Sequence, residues 1–435
     1  MSQLNRRVRE TASNSVGTLV PAISPLRQLK RVTLASMLFE KQFYMDGKDH
    51  HVLVKELCGQ VDPQKVADLA VEARTKFKLR HIPLVLTREL ARSGKLQANV
   101  LASVIQRPDE MGEFVAHYWA DGKQPLSNQV KKGLAASFHK FNEYQLAKWN
   151  KGSAAVKLRD VLFLTHAKPK DATQEALFKR IAEDQLETPD TWEVALSGGA
   201  DKCETFTRLM QENKLGALAF LRNLRNMTSA GVDNSLIRAY GKQLNVDKVL
   251  PFRFIAAARI VPQLEDMLEE MMFRALASHE KLPGKTVVVV DVSGSMFGTK
   301  ISAKSDLDRF DAAAALAVLC RELCEEVEIY SFSYSAKRVA PRRGFALVEA
   351  IRDSQQHGGT ALGQSMQEID RQTKYDRVIV FTDEQSYDRP AAPKGRGYVI
   401  NVASYQNGIN HSQWVEINGF SEAVFDYLLE YEKAE

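Results

Sequence analysis

Long apolar runs are missing from this chain of 435 residues. Nowhere do 18 apolar side chains follow one another, so no membrane-spanning helix is expected. Cysteine is scarce: Cys58, Cys203, Cys320 and Cys324 are too few and too scattered for a disulfide framework. Cys320 and Cys324, four apart on an apolar helix predicted over Phe310 to Glu325, read as packing side chains rather than zinc ligands. The first ten residues, M-S-Q-L-N-R-R-V-R-E, carry positive charge with no apolar segment behind them, unlike a secretory leader. Together these absences point to a cytosolic protein. Strand signal is nearly absent before residue 285, which excludes an all-β or evenly alternating α/β chain.

What is present is a long helical region. Residues 1–25 are polar and read as a poorly ordered arm. From Leu26 onward apolar side chains recur at helical spacing, as in Leu26, Leu29, Val32 and Leu38. Asp62-Pro63 and Pro108-Asp109 mark helix starts. About a dozen helices are predicted up to residue 284, including Val66 to Phe77, Leu126 to Phe141, Leu158 to Leu164, Ala172 to Glu187, Pro189 to Ala195 and Gln263 to His279. Joined by short loops, they read as helix pairs stacked in a solenoid. A methionine stripe on the last helix, Met267, Met271 and Met272, reads as core. Charge is uneven: residues 1–284 carry about +10 and residues 285–435 about −5. A basic helical region suggests a polyanionic partner.

The third region starts at Lys285 to Ser295, K-T-V-V-V-V-D-V-S-G-S. Thr286 to Val290 are all β-branched, as in a strand covered on both faces of a parallel sheet. At its carboxyl end stand Asp291, Ser293 and Ser295, in the kind of loop where open α/β sheets bind ligands. His357 to Leu362, H-G-G-T-A-L, adds Thr360, and Arg377 to Glu384, R-V-I-V-F-T-D-E, is a second buried-type strand that adds Asp383. Two carboxylates and three hydroxyls make an all-oxygen set of low charge, which suits Mg²⁺, or Mn²⁺, better than Zn²⁺.

D-x-S-x-S, G-G-T and a strand ending T-D, in that order, resemble a von Willebrand factor A domain with its metal-ion-dependent adhesion site. Such sites bind an acidic partner group rather than catalyse. Three helical stretches are similar to the TROVE module: Lys157 to Lys170 (K-L-R-D-V-L-F-L-T-H-A-K-P-K), Trp192 to Lys202 with Leu215 to Val232 (W-E-V-A-L-S-G-G-A-D-K and L-G-A-L-A-F-L-R-N-L-R-N-M-T-S-A-G-V), and Leu38 to Gly47 (L-F-E-K-Q-F-Y-M-D-G). A TROVE module followed by an A domain is the architecture of Ro proteins. The resemblance covers about residue 26 to the end, beyond the polar arm of 1–25, and implies a HEAT-like helical solenoid closed into a ring over 26–284 and a Rossmann-like α/β domain over 285–435.

It also implies a non-enzymatic function: a Y-like small noncoding RNA on an outer basic surface, and single-stranded ends of misfolded or fragmented structured RNA in a central hole, with an exoribonuclease as a further partner. Carried over residue by residue, the Y-RNA patch is Lys148, Lys151 and His166. Lys76, Lys78, Arg80, Lys131, Lys132, Lys168 and Lys170 are further basic candidates, with Phe77 and Trp149 as stacking aromatics. Arg222 and Arg225 fit either RNA binding or contacts between neighbouring repeats. The competing expectation is a protein-interaction adaptor whose metal site takes an acidic side chain. A metal-dependent hydrolase would need a water-activating base near Asp291, and the motif supplies none.

Overall fold

A computed structural model describes residues 12–13, 19–20, 24–35, 47–150, 152–247, 249, 252–277, 279–300, 307–383, 386–402, 414–418, 424–425, 428–429 and 432. Two short strands, β1 (Ala12–Ser13) and β2 (Leu19–Val20), pair antiparallel within the segment expected to be an arm. Residues 36–46, and so all of the L-F-E-K-Q-F-Y-M-D-G stretch but Gly47, lie outside the described residues. The chain divides into two compact units. One comprises Pro25–Thr33 and His51–Asp201, and the other contains Lys202–Glu435. The α/β domain therefore shares its unit with the helices that precede it.

The first unit is a succession of helices that pack on near neighbours in the chain, among them those from Pro63–Thr75 to Trp192–Ser197. Their starts follow local chemistry. Asp62 accepts from the backbone N–H groups of Gln64 and Lys65, Ser127 from Val130 and Asp171 from Gln174, each satisfying an orphan donor of the first turn. Thr191 likewise caps Trp192–Ser197, so that helix begins three residues later than the proline suggests. Ala172–Ala182 stops short of the expected Glu187, with Asp184 in the left-handed region two residues past its end. Gly47–Cys58, Ala98–Val104 and Glu143–Trp149 are helices beyond those expected.

Close packing leaves its mark at Gly112. A Cβ there would stand 2.2 Å from the carbonyl oxygen of Val156. Alanine normally gains up to about 1 kcal/mol over glycine inside a helix, but overpacking against backbone costs about 1–3 kcal/mol or more. Gly112→Ala is expected to lower the urea midpoint, whereas a midpoint at or above the parent's would show that the Val156 segment yields freely.

In the second unit the methionine stripe is core: Met267, Met271 and Met272 are buried. The sheet that follows has six strands: β3 (Leu282–Asp291), β4 (Cys324–Phe332), β5 (Ala336–Arg338), β6 (Arg377–Thr382), β7 (Arg396–Asn401) and β8 (Trp414–Asn418). Their order is β5-β4-β3-β6-β7-β8, parallel throughout except for edge strand β5. β3 is central, pairing Val288 with Ile329 on one side and with Ile379 on the other. One sheet face, with Val287, Val289, Val378 and Val380, packs on Leu362, Met366 and Ile369 of the helix Leu362–Gln372. The helix Arg309–Leu323 also packs against β3, and its alanine-rich sequence is buried nearly all round, as a fully enclosed helix requires. It ends at Leu323, so Cys324 opens β4 instead of lying on the helix, and both Cys320 and Cys324 are buried. The expected class, a helical array followed by a Rossmann-like α/β domain, is the one observed.

Candidate functional site

In a doubly wound sheet the crevice lies beyond the carboxyl ends of the strands on either side of the point where the order reverses. Here those strands are β3 and β6, which end at Asp291 and Thr382. The oxygen donors expected from sequence gather at these ends. Asp291, Ser293, Thr360 and Asp383 are all buried. Asp291 Oδ1 accepts from the Ser293 backbone N–H at 2.8 Å, and Oδ2 accepts from Thr382 Oγ1 at 2.6 Å. Ser293 Oγ lies 3.2 Å from Ser295 Oγ. The two serines thus present adjacent hydroxyls beside the first carboxylate.

The glycine-threonine loop is tied to the same crevice. Gly294 N–H donates to Gly358 O at 3.1 Å. Ser333 clamps the loop: its hydroxyl donates to Gly359 O at 2.9 Å and accepts from Gly358 N–H at 2.9 Å. Ser386 Oγ donates to Thr360 O at 3.2 Å. Tyr334, 61% exposed, lies over the two glycines, where a Cβ on Gly358 would meet its ring at 2.2 Å. Tyr387 is exposed as well and donates its N–H to Thr360 O. Ser333, Ser386 and the two tyrosines were not read from sequence, since they belong to none of the three motifs.

Burial dominates the electrostatics. It pushes the Asp291 carboxyl up to about 6, with the Asp383 charge adding to the shift and hydrogen bonds from Ser293 and Thr382 opposing it. Asp383 is held by a cation that sequence did not announce: Arg309 Nη1 donates to Asp383 Oδ2 at 2.9 Å and to the Ser295 carbonyl at 3.4 Å. Among the described residues no group of three or more His, Cys, Asp or Glu side chains forms a metal site. A metal here would need the hydroxyls of Ser293, Ser295 and Thr360. Two carboxylates and adjacent hydroxyls at a strand end fit a small hard cation, because every donor is oxygen and the carboxylates already share one burial site.

The basic candidates of the helical region separate into two groups. Lys168, Lys170 and Lys132 are exposed, and Lys131 and Lys148 half-buried. His166 is exposed and ends the helix Leu158–Thr165 in the left-handed conformation (φ 50°, ψ 43°). It is not the buried histidine that an isolated His on a helix end suggests. Phe163, three residues earlier, is 56% exposed, an aromatic that the sequence motifs do not single out. Lys148 Nζ sits 5.8 Å from the centre of the exposed Tyr144 ring. Lys151 lies outside the described residues.

The other group makes contacts within the protein, although Lys76 and Lys78 remain exposed. Arg80 donates to Asp109 at 3.0 Å and also contacts Glu113 and Glu110. Lys76 pairs with Glu72 at 3.6 Å, and the Lys78 ammonium caps the Thr75 carbonyl. Burial, with Arg80, His117, Arg107 and Arg74 nearby, pushes His81 down to about 4, so it is neutral near pH 7. Phe77 is buried and cannot stack a base from solvent, because its side chain fills the core where K-F-K-L-R-H turns. The Trp149 ring already carries the Arg107 guanidinium 3.6 Å from its centre. Arg222 and Arg225 are exposed, on either side of the buried Asn223.

Residues 179–309 match the family model of the TROVE domain. The match includes the W-E and L-R-N-L stretches and runs through D-V-S-G-S to Arg309, while Lys157 to Lys170 lies outside it. No curated protein matches the chain in sequence. Among solved structures, the Ro (RSR) protein of Deinococcus radiodurans shares the fold, with a TM-score of 0.65 at 18% identity over 88% of this chain and 93% of that one. The chain thus shares its fold with that Ro protein over most of its length. No helix among the described residues is long and apolar enough to cross a membrane.

Proposed function

We propose that this TROVE-domain protein is a non-enzymatic, cytoplasmic RNA-binding component of a small ribonucleoprotein. A Y-like noncoding RNA is held on the face that carries Lys148, Lys151, His166, Lys168 and Lys170. Single-stranded ends of misfolded or fragmented structured RNA take a second place, the central hole that the Ro resemblance implies, and a partner exoribonuclease does the cutting. The match to a Ro fold over 88% of the chain, with the TROVE family model matched over residues 179–309, is the observation that carries this reading. The von Willebrand A-like domain serves as a docking site in which Asp291, Ser293, Ser295, Thr360 and Asp383 hold Mg²⁺ or Mn²⁺. When bound, the metal supplies an open coordination position for a partner's carboxylate.

The exposed group of basic side chains gives the reading its physical content. Lys and Arg contacts to phosphate supply most of the affinity for RNA, and duplex RNA is read by shape. Phe163 adds a stacking surface beside His166, and base stacking on an aromatic is worth about 1–3 kcal/mol. Phe163→Ala is therefore expected to weaken binding of a single-stranded or bulged RNA roughly tenfold or more, and to leave a fully paired duplex nearly unaffected. Equal losses for both RNAs, or none, would remove Phe163 from the site. The reading itself is tested by purification without nuclease: the protein should retain RNA, seen as an absorbance ratio above that of protein alone, and lose it at high salt.

A second reading, a metal-dependent protein-interaction adaptor with no RNA role, draws on one observation. Tyr334 and Tyr387 expose large aromatic surfaces beside the oxygen donors, as a protein-docking face does. Nucleic-acid-free protein at low salt would favour it.

A further inference from the structure

Arg309 is the first residue of the helix Arg309–Leu323, behind the N-cap Asp308. That is the wrong end for a cation, since the first turn of a helix favours negative charge. Its side chain is nearly buried and folds back to the crevice, where one arm meets Asp383 at 2.9 Å and the Ser295 carbonyl at 3.4 Å. Both residues belong to the candidate metal set. A guanidinium does not lose its proton in proteins, so the positive charge is permanent.

We propose that Arg309 is a built-in counter-cation of the metal site, which holds Asp383 and Ser295 in place of a divalent ion and must swing away before one binds. The proposal rests on the metal-site reading above and adds a control to it: affinity for Mg²⁺ or Mn²⁺ is set low by a residue of the chain itself. Two cations cannot share Asp383 at a few ångströms in a poorly screened site without strong repulsion. Nor can the buried carboxylate be left alone, because an unpaired buried charge is costly. One positive charge must therefore be present, and the chain carries its own. The helix end does not reward Arg309 for staying, whereas Asp383 and the Ser295 carbonyl do hold it at the crevice. A partner that delivers its own carboxylate to the metal adds the negative charge needed to favour the exchange, which makes docking and metal binding mutually reinforcing.

The test is Mn²⁺ titration of the full-length chain, followed by the electron paramagnetic resonance signal of free Mn²⁺. Arg309→Gln keeps hydrogen-bonding capacity and removes the charge, so its affinity is expected to rise at least about tenfold over the parent. Asp383→Asn in the same background should return it to weak binding. Equal or weaker binding by a folded R309Q, beside measurable binding by the parent, overturns the counter-cation and leaves the metal site standing. Failure of both proteins to bind at millimolar Mn²⁺ sinks the metal reading, and the counter-cation with it. Should R309Q not fold, the Mn²⁺-loaded parent decides: its crystal structure should show the Arg309 guanidinium out of hydrogen-bond reach of Asp383. A metal seated on Asp291 and the two serines with that ion pair intact overturns the proposal.

Discussion

Glu110→Ala is expected to destabilise the first unit by about 3–5 kcal/mol, the usual cost of breaking a buried ion pair from one side. The Glu110 side chain is wholly buried. Its Oε1 accepts from Arg74 Nη2 at 2.6 Å, and its Oε2 accepts from the backbone N–H groups of Gln106 and Arg107 at 2.8 and 3.0 Å. Arg74 reaches further, to the carbonyls of Val104 and Leu79. One carboxylate thus joins the helix Pro63–Thr75 to the loop that starts Asp109–Tyr118. Removing it leaves two backbone donors and the Nη2 arm of Arg74 without that acceptor. A folded domain holds only about 5–15 kcal/mol in total, so the loss should show as a large fall in urea midpoint. Glu110→Gln, which keeps the shape and one acceptor, should fall less. A loss below about 1 kcal/mol for the alanine variant would mean that water replaces the carboxylate.

Asp291→Asn should change the pH dependence of the metal-free protein and abolish its response to Mg²⁺. Burial raises the Asp291 carboxyl from 3.8 to about 6 in the folded chain. The folded state therefore binds the proton more tightly than the unfolded state does. Stability contributed by the protonated group is full below about pH 4 and is lost as pH rises through about 6. Across that window the loss is on the order of 3 kcal/mol, since each tenfold difference in proton affinity between the two states is worth about 1.4 kcal/mol. In a chelator, Asp291→Asn should remove this decline, so that the variant equals or exceeds the parent at pH 7.5. In Mg²⁺ the parent should regain stability by mass action and the variant should not. A parent whose chelated stability rises between pH 4 and 6 more steeply than the variant's would show Asp291 already ionised and paired.

Much of this site could be read before the fold was known. Thr286 to Val290 and Val378 to Phe381 announce themselves as doubly covered strands, and the polar residues at their ends then have to share the crevice of a parallel sheet. Thr360 was placed by its glycines, which the Tyr334 ring now explains. Arg309 was not legible, because a single arginine at a helix start carries no pattern. Its partner Asp383 lies 74 residues away. The same limit applies to Arg80 in K-F-K-L-R-H. The run is basic in sequence, but Asp109 and Glu113 arrive from 29 and 33 residues away to take up Arg80. Local charge counts see a basic run and miss the acids folded onto it. Glu143–Trp149 escaped because seven residues show no helical period, although Asn142 and Gln145 form a capping box that marks its start. Phe163 stands in no motif, and only the fold shows that its helix Leu158–Thr165 turns it to solvent.

The most direct test of the RNA reading is binding of the purified chain, in Mg²⁺ buffer, to a hairpin with a single-stranded 3′ tail, beside a blunt hairpin. Salt should run from ~50 to ~300 mM, a range over which four phosphate contacts to a single strand would cost roughly a hundredfold in affinity. The account predicts tail-dependent binding that weakens steeply over this range. It also predicts that binding of the hairpin stem falls when Lys148, Lys151 and His166 are replaced by alanine. No binding of either RNA at ~50 mM salt would contradict it.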